Sequence, residues 1–231
     1  MRITNLEKTL GNFVLNIDNL HIKEGVNHCF IGFNGSGKST LAKLIMGLIE
    51  ADKGEIDLEG LRKQDITMTL QRPYLMHDSL YENIIYPLKL RGQLNKAKED
   101  EIDEFLKKLG LYDKKHQYAL SLSSGERQKL SLIRALIFNP KLLIIDESLS
   151  NMDLKSKEIF DSILLERRKE QTTTILISHQ LAHAKNLCQE AHFFDEGRIL
   201  ESGSVEKIFF DADNPIIGEY IRNQLIEVND R

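Results

Sequence analysis

Apolar and polar positions alternate through FVLNIDNLHI (residues 13–22) and again through GEIDLEG (residues 54–60). That is the period of half-buried strands, so antiparallel strands are predicted near the start, with Gly25 and Gly54 as turn positions. Short runs that are apolar throughout follow: HCFI ending at Ile31, LLII ending at Ile145, TILIS before His179 and HFF before Asp195. Such runs, alternating with helical stretches, predict a mostly parallel sheet covered on both faces. Ligands of such sheets gather at the carboxyl ends of the strands, which would bring Lys38, Asp146 and His179 to one edge. Between about Arg72 and Gln117 the texture changes. NKAKEDEIDEFLKKLGL (residues 95–111) places Ile102, Phe105, Leu106 and Leu109 at helical spacing with charges opposite, a stripe suited to core packing or to a binding face. The fold class expected is α/β: a mostly parallel sheet with an N-terminal antiparallel part and an inserted α-helical subdomain. The whole chain, 1–231, reads as one domain, with its core at 1–71 and 141–231 and the helical subdomain at about 72–140.

The run at HCFI leads into CFIGFNGSGKSTLAKLIMG, from Cys29 to Gly47. Gly32-x-x-x-x-Gly37-Lys38-Ser39 is the spacing of a loop whose backbone N–H groups cradle polyphosphate oxygens. Gly35 and Gly37 would take positive φ and approach the ligand without a Cβ. A helix from Ser39 to about Ile49 would turn its positive dipole end to the anion. Lys38 would reach the outer phosphates and the Ser39 hydroxyl would bind Mg²⁺. The alternative is a glycine-rich turn that happens to precede a helix.

Composition narrows the partners. The formal net charge is -4 at pH 7, which gives no general attraction to nucleic acid. The two cysteines, Cys29 and Cys188, are far apart in sequence and outside any metal-ligand spacing, so both are expected reduced and buried. MRITNLEKTL lacks the apolar core of a signal peptide, and no run approaches the roughly 18 apolar residues that span a bilayer. A cytoplasmic protein is expected, held at a membrane only by a partner.

Two further segments carry chemistry. In LLIIDES the carboxylates of Asp146 and Glu147 follow a buried strand; they suit either a Mg²⁺ shell with a base beside it or a helix cap followed by a first-turn acid. In LSLSSGERQKLSLIRAL, Ser123, Ser124, Gly125 and Glu126 precede a helix, which reads either as a capping box or as a second anion-binding helix end. His179 after a strand is structural or catalytic on its own evidence.

At these residues the sequence resembles the ATP-binding subunits of ABC transporters, over nearly the whole chain and in that family's order. The motifs are the phosphate loop GFNGSGKST, Gln71 in LQRPYL, the signature LSSGE, the pair Asp146 and Glu147, SNMD ending at Asp153, and ISHQ with His179. The resemblance implies a phosphate-loop ATPase acting as a head-to-tail pair, most simply a homodimer, each ATP lying between the phosphate loop of one subunit and the signature of the other. By the same resemblance, Asn34, Gly35, Ser36, Gly37, Lys38, Ser39 and Thr40 hold the nucleotide, and Ser39, Gln71 and Asp146 the Mg²⁺. Glu147 is the general base, with His179 on the γ-phosphate and Gln71 on the reacting water. Ser123, Ser124, Gly125 and Glu126 close on the partner's nucleotide, with Asp153 at the dimer interface.

The sequence departs from the family at four places. Ser124 replaces the first glycine of the usual LSGGQ, Glu126 replaces its glutamine, and Ser148 stands where proline normally follows the catalytic Glu. Where the family stacks an aromatic ring on adenine, this chain has Thr9 or Leu10, with Phe13 the nearest aromatic, so adenine stacking is expected to be weak or differently made.

With no span of its own, the ATPase would work through a separate transmembrane permease. RPYLMHDSLYENIIYPLKLRG, after Gln71, carries Tyr74, Leu75, Met76, Tyr81, Ile84 and Tyr86, which are expected to divide between a groove for a partner helix and subdomain core. The wording of this stretch and of DNPIIGEYI resembles importers of oxyanions such as tungstate, molybdate or phosphate, or of amino acids. An exporter or mechanotransmission ATPase, or an ABC ATPase outside transport, is the alternative. The signature, and the lack of an Asn-Lys-x-Asp motif, disfavour a nucleotide kinase or GTPase.

Overall fold

A computed structural model describes residues 1–147, 149 and 152–229, with side chains through residue 224. Ser148, and Ser150 and Asn151 of SNMD, lie outside the described residues. The fold is α/β, built on two sheets.

The smaller sheet is antiparallel and contains β1 (Arg2–Leu10), β2 (Phe13–His21) and β4 (Lys53–Asp57), in the order β2-β1-β4. Gly54, expected in a turn, lies inside β4 instead. The pairing of β1 with β4 shifts register between Thr4 and Glu7; Gly54 has φ 77, and a Cβ there would lie 2.1 Å from the Asn5 carbonyl oxygen. The glycine is needed for close backbone approach at a bulge. Gly25, with φ 68, does turn the chain before β3 (Asn27–Gly32).

The larger sheet takes in β3 together with β5 (Ile66–Thr69), β6 (Leu142–Asp146), β7 (Thr173–Ile177), β8 (Glu190–Asp195) and β9 (Arg198–Ser204), in the order β5-β6-β7-β3-β8-β9. The first five strands run parallel and β9 closes the edge antiparallel to β8. The four apolar runs of the sequence are β3, β6, β7 and β8. Both their faces are covered: Cys29, Ile31, Leu143 and Ile145 join one buried cluster with the helices, while Phe30, Ile144, Ile175 and Phe194 face the smaller sheet. That double burial explains why these strands read as continuous apolar runs.

The described residues also form eight α-helices: α1 (Lys38–Ile45), α2 (Leu80–Leu90), α3 (Lys96–Lys108), α4 (Ser124–Leu136), α5 (Leu154–Lys169), α6 (Leu181–Leu187), α7 (Val205–Phe210) and α8 (Pro215–Asn229). α1 stops before the expected Ile49, because the Leu48 N–H reaches back to the Lys43 carbonyl and the Gly47 N–H to that of Leu44, the paired bonds of a Schellman stop. α2, α3 and α4 fall between β5 and β6. The stripe on α3 is core: Ile102, Phe105, Leu106 and Leu109 are all buried.

Between the sheets lies a buried pair, His28 of β3 and His192 of β8, stacked with His28 Nδ1 3.0 Å from His192 Nε2. The carbonyl of Lys23 accepts from His28 Nε2 at 3.1 Å, which leaves His28 Nδ1 to accept from His192 Nε2. The remaining nitrogen, His192 Nδ1, accepts from the Ser202 hydroxyl at 2.8 Å. One tautomer of each neutral ring satisfies the whole chain of bonds. Burial pulls His28 down to about 4 and His192 to about 3. Cys29 and Cys188, distant in sequence, are both buried free thiols; the Cys29 thiol beside it and burial push Cys188 well above the usual thiol range, which makes it unreactive.

Candidate functional site

The phosphate-loop sequence connects β3 to α1 at the carboxyl edge of the sheet. Gly37 caps α1 with φ 105, and a Cβ there would lie 2.6 Å from Leu15 Cδ1 and 3.0 Å from Phe13 Cζ, so the loop is closed down onto β2. Ordering of the strands brings distant residues together: β6 and β3 both flank β7, so Asp146 and Glu147, His179 and the loop occupy neighbouring strand ends.

Lys38 folds back over the loop, its ammonium donating to the carbonyls of Gly32 at 2.9 Å and Phe33 at 2.6 Å and to Ser36 Oγ at 3.2 Å. Burial lowers Lys38 to about 8, against the opposing charges of Glu147 and Asp146, so it remains a cation at neutral pH. The Ser39 hydroxyl donates to Asp146 Oδ1 at 3.0 Å, and burial holds the Asp146 carboxyl above its ordinary value. Glu147 takes φ 49, a left-handed conformation uncommon for such a residue, and its N–H donates to the Ile177 carbonyl at 3.0 Å. That backbone aims the side chain at two neighbours. His179 Nε2 lies 2.5 Å from Glu147 Oε1, and Gln71 Nε2 donates to Glu147 Oε2 at 2.7 Å. Strained backbone of this kind concentrates where chemistry needs a group held in place.

Phe13, Asn34, Gly35, Ser36, Gly37, Lys38, Ser39, Thr40, Glu147 and His179 line a cavity of about 160 Å³. A wider opening of about 550 Å³ shares Phe13, Asn34, Gly35 and Ser36 and adds Asn12, Val14, Asp195 and Glu196. Of the candidates for the base contact, Phe13 lines both spaces, whereas Thr9 and Leu10 line neither.

The signature residues do not enter this cavity. Ser123 caps α4, its hydroxyl accepting from the Glu126 N–H at 3.3 Å while Glu126 Oε2 accepts from the Ser123 N–H at 2.9 Å. Lys114 and this N–H hold Glu126 below the usual carboxylate range. The capping-box alternative is therefore realised locally, with Ser123 and Ser124 left exposed. Asp153 caps α5 and pairs with Lys129 of α4 at 2.9 Å. Lys129 and the Asp195–Glu196 corner were not among the sequence candidates; nothing local marks them, since their roles depend on packing across the fold.

Comparison with known proteins finds relatives over most of the chain. Residues 15–150, more than half of the chain, match the family described as ABC transporter. The tungstate uptake system ATP-binding protein TupC of Peptoclostridium acidaminophilum is 34% identical over 206 residues, which cover 87% of this chain and 96% of that protein. The molybdate/tungstate import ATP-binding protein WtpC of Archaeoglobus fulgidus is 35% identical over 235 residues, 96% of this chain and 95% of its own. The methionine import ATP-binding protein MetN of Geobacillus kaustophilus is 31% identical over 98% of this chain but 70% of its own length. A solved structure titled "Structure of ATP binding subunit of ABC transporter" superposes with a TM-score of 0.85 over 99% of this chain and 98% of its own, at 23% identity, a likeness of fold. From the convergent strand ends and these matches together, the chain belongs to the ABC transporter family.

Proposed function

We propose that this ABC transporter ATPase powers import of a small oxyanion through a separate membrane permease. The observation that carries the catalytic part is that Lys38, Ser39, Glu147 and His179 line one cavity, with Asp146 bonded to Ser39 and Gln71 to Glu147 behind them. In this reading residues 34–40 hold the phosphates of ATP and Lys38 exchanges its bond to Ser36 for a phosphate oxygen. Glu147 accepts a proton from the attacking water, which Gln71 positions, and His179 turns from Glu147 to the γ-phosphate. Ser39 Oγ and Asp146 Oδ1, 3.0 Å apart, are hard oxygen donors that fit Mg²⁺. Mg²⁺ is commonly held by one or two protein ligands together with substrate phosphates. Bound there, Mg²⁺ would neutralise charge on the phosphates.

The exposed signature supports a head-to-tail homodimer, in which Ser123, Ser124, Gly125 and Glu126 of one copy cover the nucleotide of the other and Asp153 stands at the joint. Leu154, beside Asp153, is 73% exposed, an apolar surface fit for such a joint. Residues 72–140 form the helical subdomain of a single domain. Within it the aromatic stretch divides: Leu75 and Ile84 are buried and Tyr81 packs against the core, whereas Tyr74 and Tyr86 are exposed. The permease contact falls to Tyr74 and Tyr86, and Leu75 belongs to the subdomain core. No described helix is long and apolar enough to cross a membrane; attachment to the cytoplasmic face is through the permease.

The oxyanion assignment leans on the tungstate and molybdate/tungstate relatives, which are 34% and 35% identical to this chain against 31% for the methionine relative. The test of the catalytic reading is Glu147→Gln. The variant should keep ATP affinity, lose at least ~10²-fold in turnover as expected for removal of a general base, and accumulate an ATP-bound dimer by size-exclusion chromatography. Near-native turnover would remove Glu147 from its role. Lys38→Ala should weaken nucleotide binding itself.

A further inference from the structure

DNPIIGEYI (residues 213–221) leads into α8 at Pro215, and its Tyr220 reaches back across the molecule to the phosphate loop. The Tyr220 hydroxyl donates to the Gly32 carbonyl at 3.2 Å, a buried contact between residues 188 positions apart. Its ring meets Phe33 edge-on, with centroids 4.9 Å apart, and meets Phe193 of β8 at 5.1 Å. Gly32 and Phe33 are the two residues whose carbonyls hold the Lys38 ammonium, at 2.9 and 2.6 Å. One side chain from α8 therefore bonds one of the carbonyls that hold the loop lysine and packs against the ring of the residue that supplies the other.

Gly32 needs such a hold. Its φ is 125, and a Cβ would lie 2.0 Å from the Phe194 carbonyl oxygen, so only glycine fits and no side chain of its own fixes the direction of its carbonyl. A carbonyl oxygen has two lone pairs, and here Lys38 and Tyr220 use one each. Burial raises the Tyr220 hydroxyl above its ordinary value, which keeps it protonated and donating.

We propose that Tyr220 is a positioning residue for ATP binding, which fixes the Gly32 and Phe33 carbonyls and through them the Lys38 ammonium, so that the C-terminal helix is part of the phosphate site. This rests on the reading of residues 32–40 as the ATP phosphate site. The alternative is that Tyr220 only fills space between α8 and the sheet, and phosphate selectivity separates the two. Lys38 meets the outer phosphates, so losing its hold weakens ATP and leaves AMP alone; a general loosening of the site weakens both.

Tyr220→Phe keeps the ring and removes the hydroxyl. Affinities for ATP and AMP would be measured by competition against a fluorescent ATP analogue, with thermal melting alongside. ATP affinity should fall about three- to tenfold, the factor for one net hydrogen bond, with AMP affinity and melting near native. Unchanged ATP affinity, or equal losses for ATP and AMP, would overturn the proposal. Should the variant melt early, amide hydrogen exchange on the native chain decides: ATP should slow exchange around residues 216–224 more than AMP does, and identical exchange under the two nucleotides overturns the proposal. A native chain that binds no ATP refutes the parent reading instead, a result distinct from all of these.

Discussion

The buried pair His28 and His192 makes the fold acid-sensitive in a defined window. Both rings are neutral in the native state, at about 4 and about 3, whereas free imidazoles titrate at about 6.5. The unfolded chain therefore binds more protons than the folded one once the pH drops below about 6.5, and stability falls as the pH falls. The loss continues down to the folded values. At pH 5 each unfolded imidazole is almost fully charged and each folded one almost fully neutral, which at about 1.4 kcal/mol per pH unit gives about 2 kcal/mol per histidine. Together the pair should remove about 4 kcal/mol between pH 7 and 5, a large part of the roughly 5–15 kcal/mol by which domains are stable. Asp146, raised by burial, works in the opposite direction. The assay is urea unfolding at pH 7, 6 and 5, comparing the native chain with His28→Gln/His192→Gln, which keeps hydrogen-bonding capacity and removes the titration. The double variant should be less stable at pH 7 and lose much less between pH 7 and 5. An equal loss in the two proteins would refute the argument.

Two other outcomes follow from the site and its surface. Phe13 lines the cavity where the family's adenine-stacking aromatic is replaced, and a phenyl ring stacks on any base; ATP and GTP should bind within a few-fold of each other, and Phe13→Ala should weaken both by about fivefold, a stack of about 1 kcal/mol. Unchanged affinities would move the base elsewhere. Tyr74 is 80% exposed and Leu75 5%, so Tyr74→Asp should leave melting unchanged and abolish assembly with the permease in a pull-down. Leu75→Asp should instead lower the melting point sharply, because an unpaired buried charge costs several kcal/mol. Native assembly by a folded Tyr74→Asp variant would place the docking surface elsewhere.

What the sequence made legible was whatever is periodic or local. β3, β6, β7 and β8 announced themselves because both of their faces are buried, and the phosphate loop because its geometry is encoded in eight consecutive positions. β1 passed unread for a physical reason: Ile3 and Leu6 are its buried side chains, a spacing of three that the bulge at Thr4–Glu7 imposes on a strand whose usual period is two. β5 is only four residues long and β9 is a half-exposed edge, so neither carries a strong pattern. Gln71, Glu147 and His179 could be named from their motifs, but their mutual bonds depend on strand order. Composition alone also could not tell Tyr74 from Leu75, adjacent residues of similar apolar character on opposite sides of one short loop.

The strand order has a consequence for how such a molecule can change. Everything from residue 70 to 141 is, topologically, the connection between β5 and β6, neighbours in register from Ile66 opposite Leu142. A crossover between adjacent parallel strands needs only about a dozen residues, so most of that segment is not required to build the sheet. Lengthening it costs little closure entropy, about 0.6 kcal/mol for each doubling. The segment can therefore gain, lose or exchange helices over generations while Asp146, Glu147 and the phosphate loop keep their spacing. The surface between Gln71 and Ser123 can vary in this way, whereas Gln71 and residues 123–126, the parts of the segment read as reaching nucleotide, are held to their places.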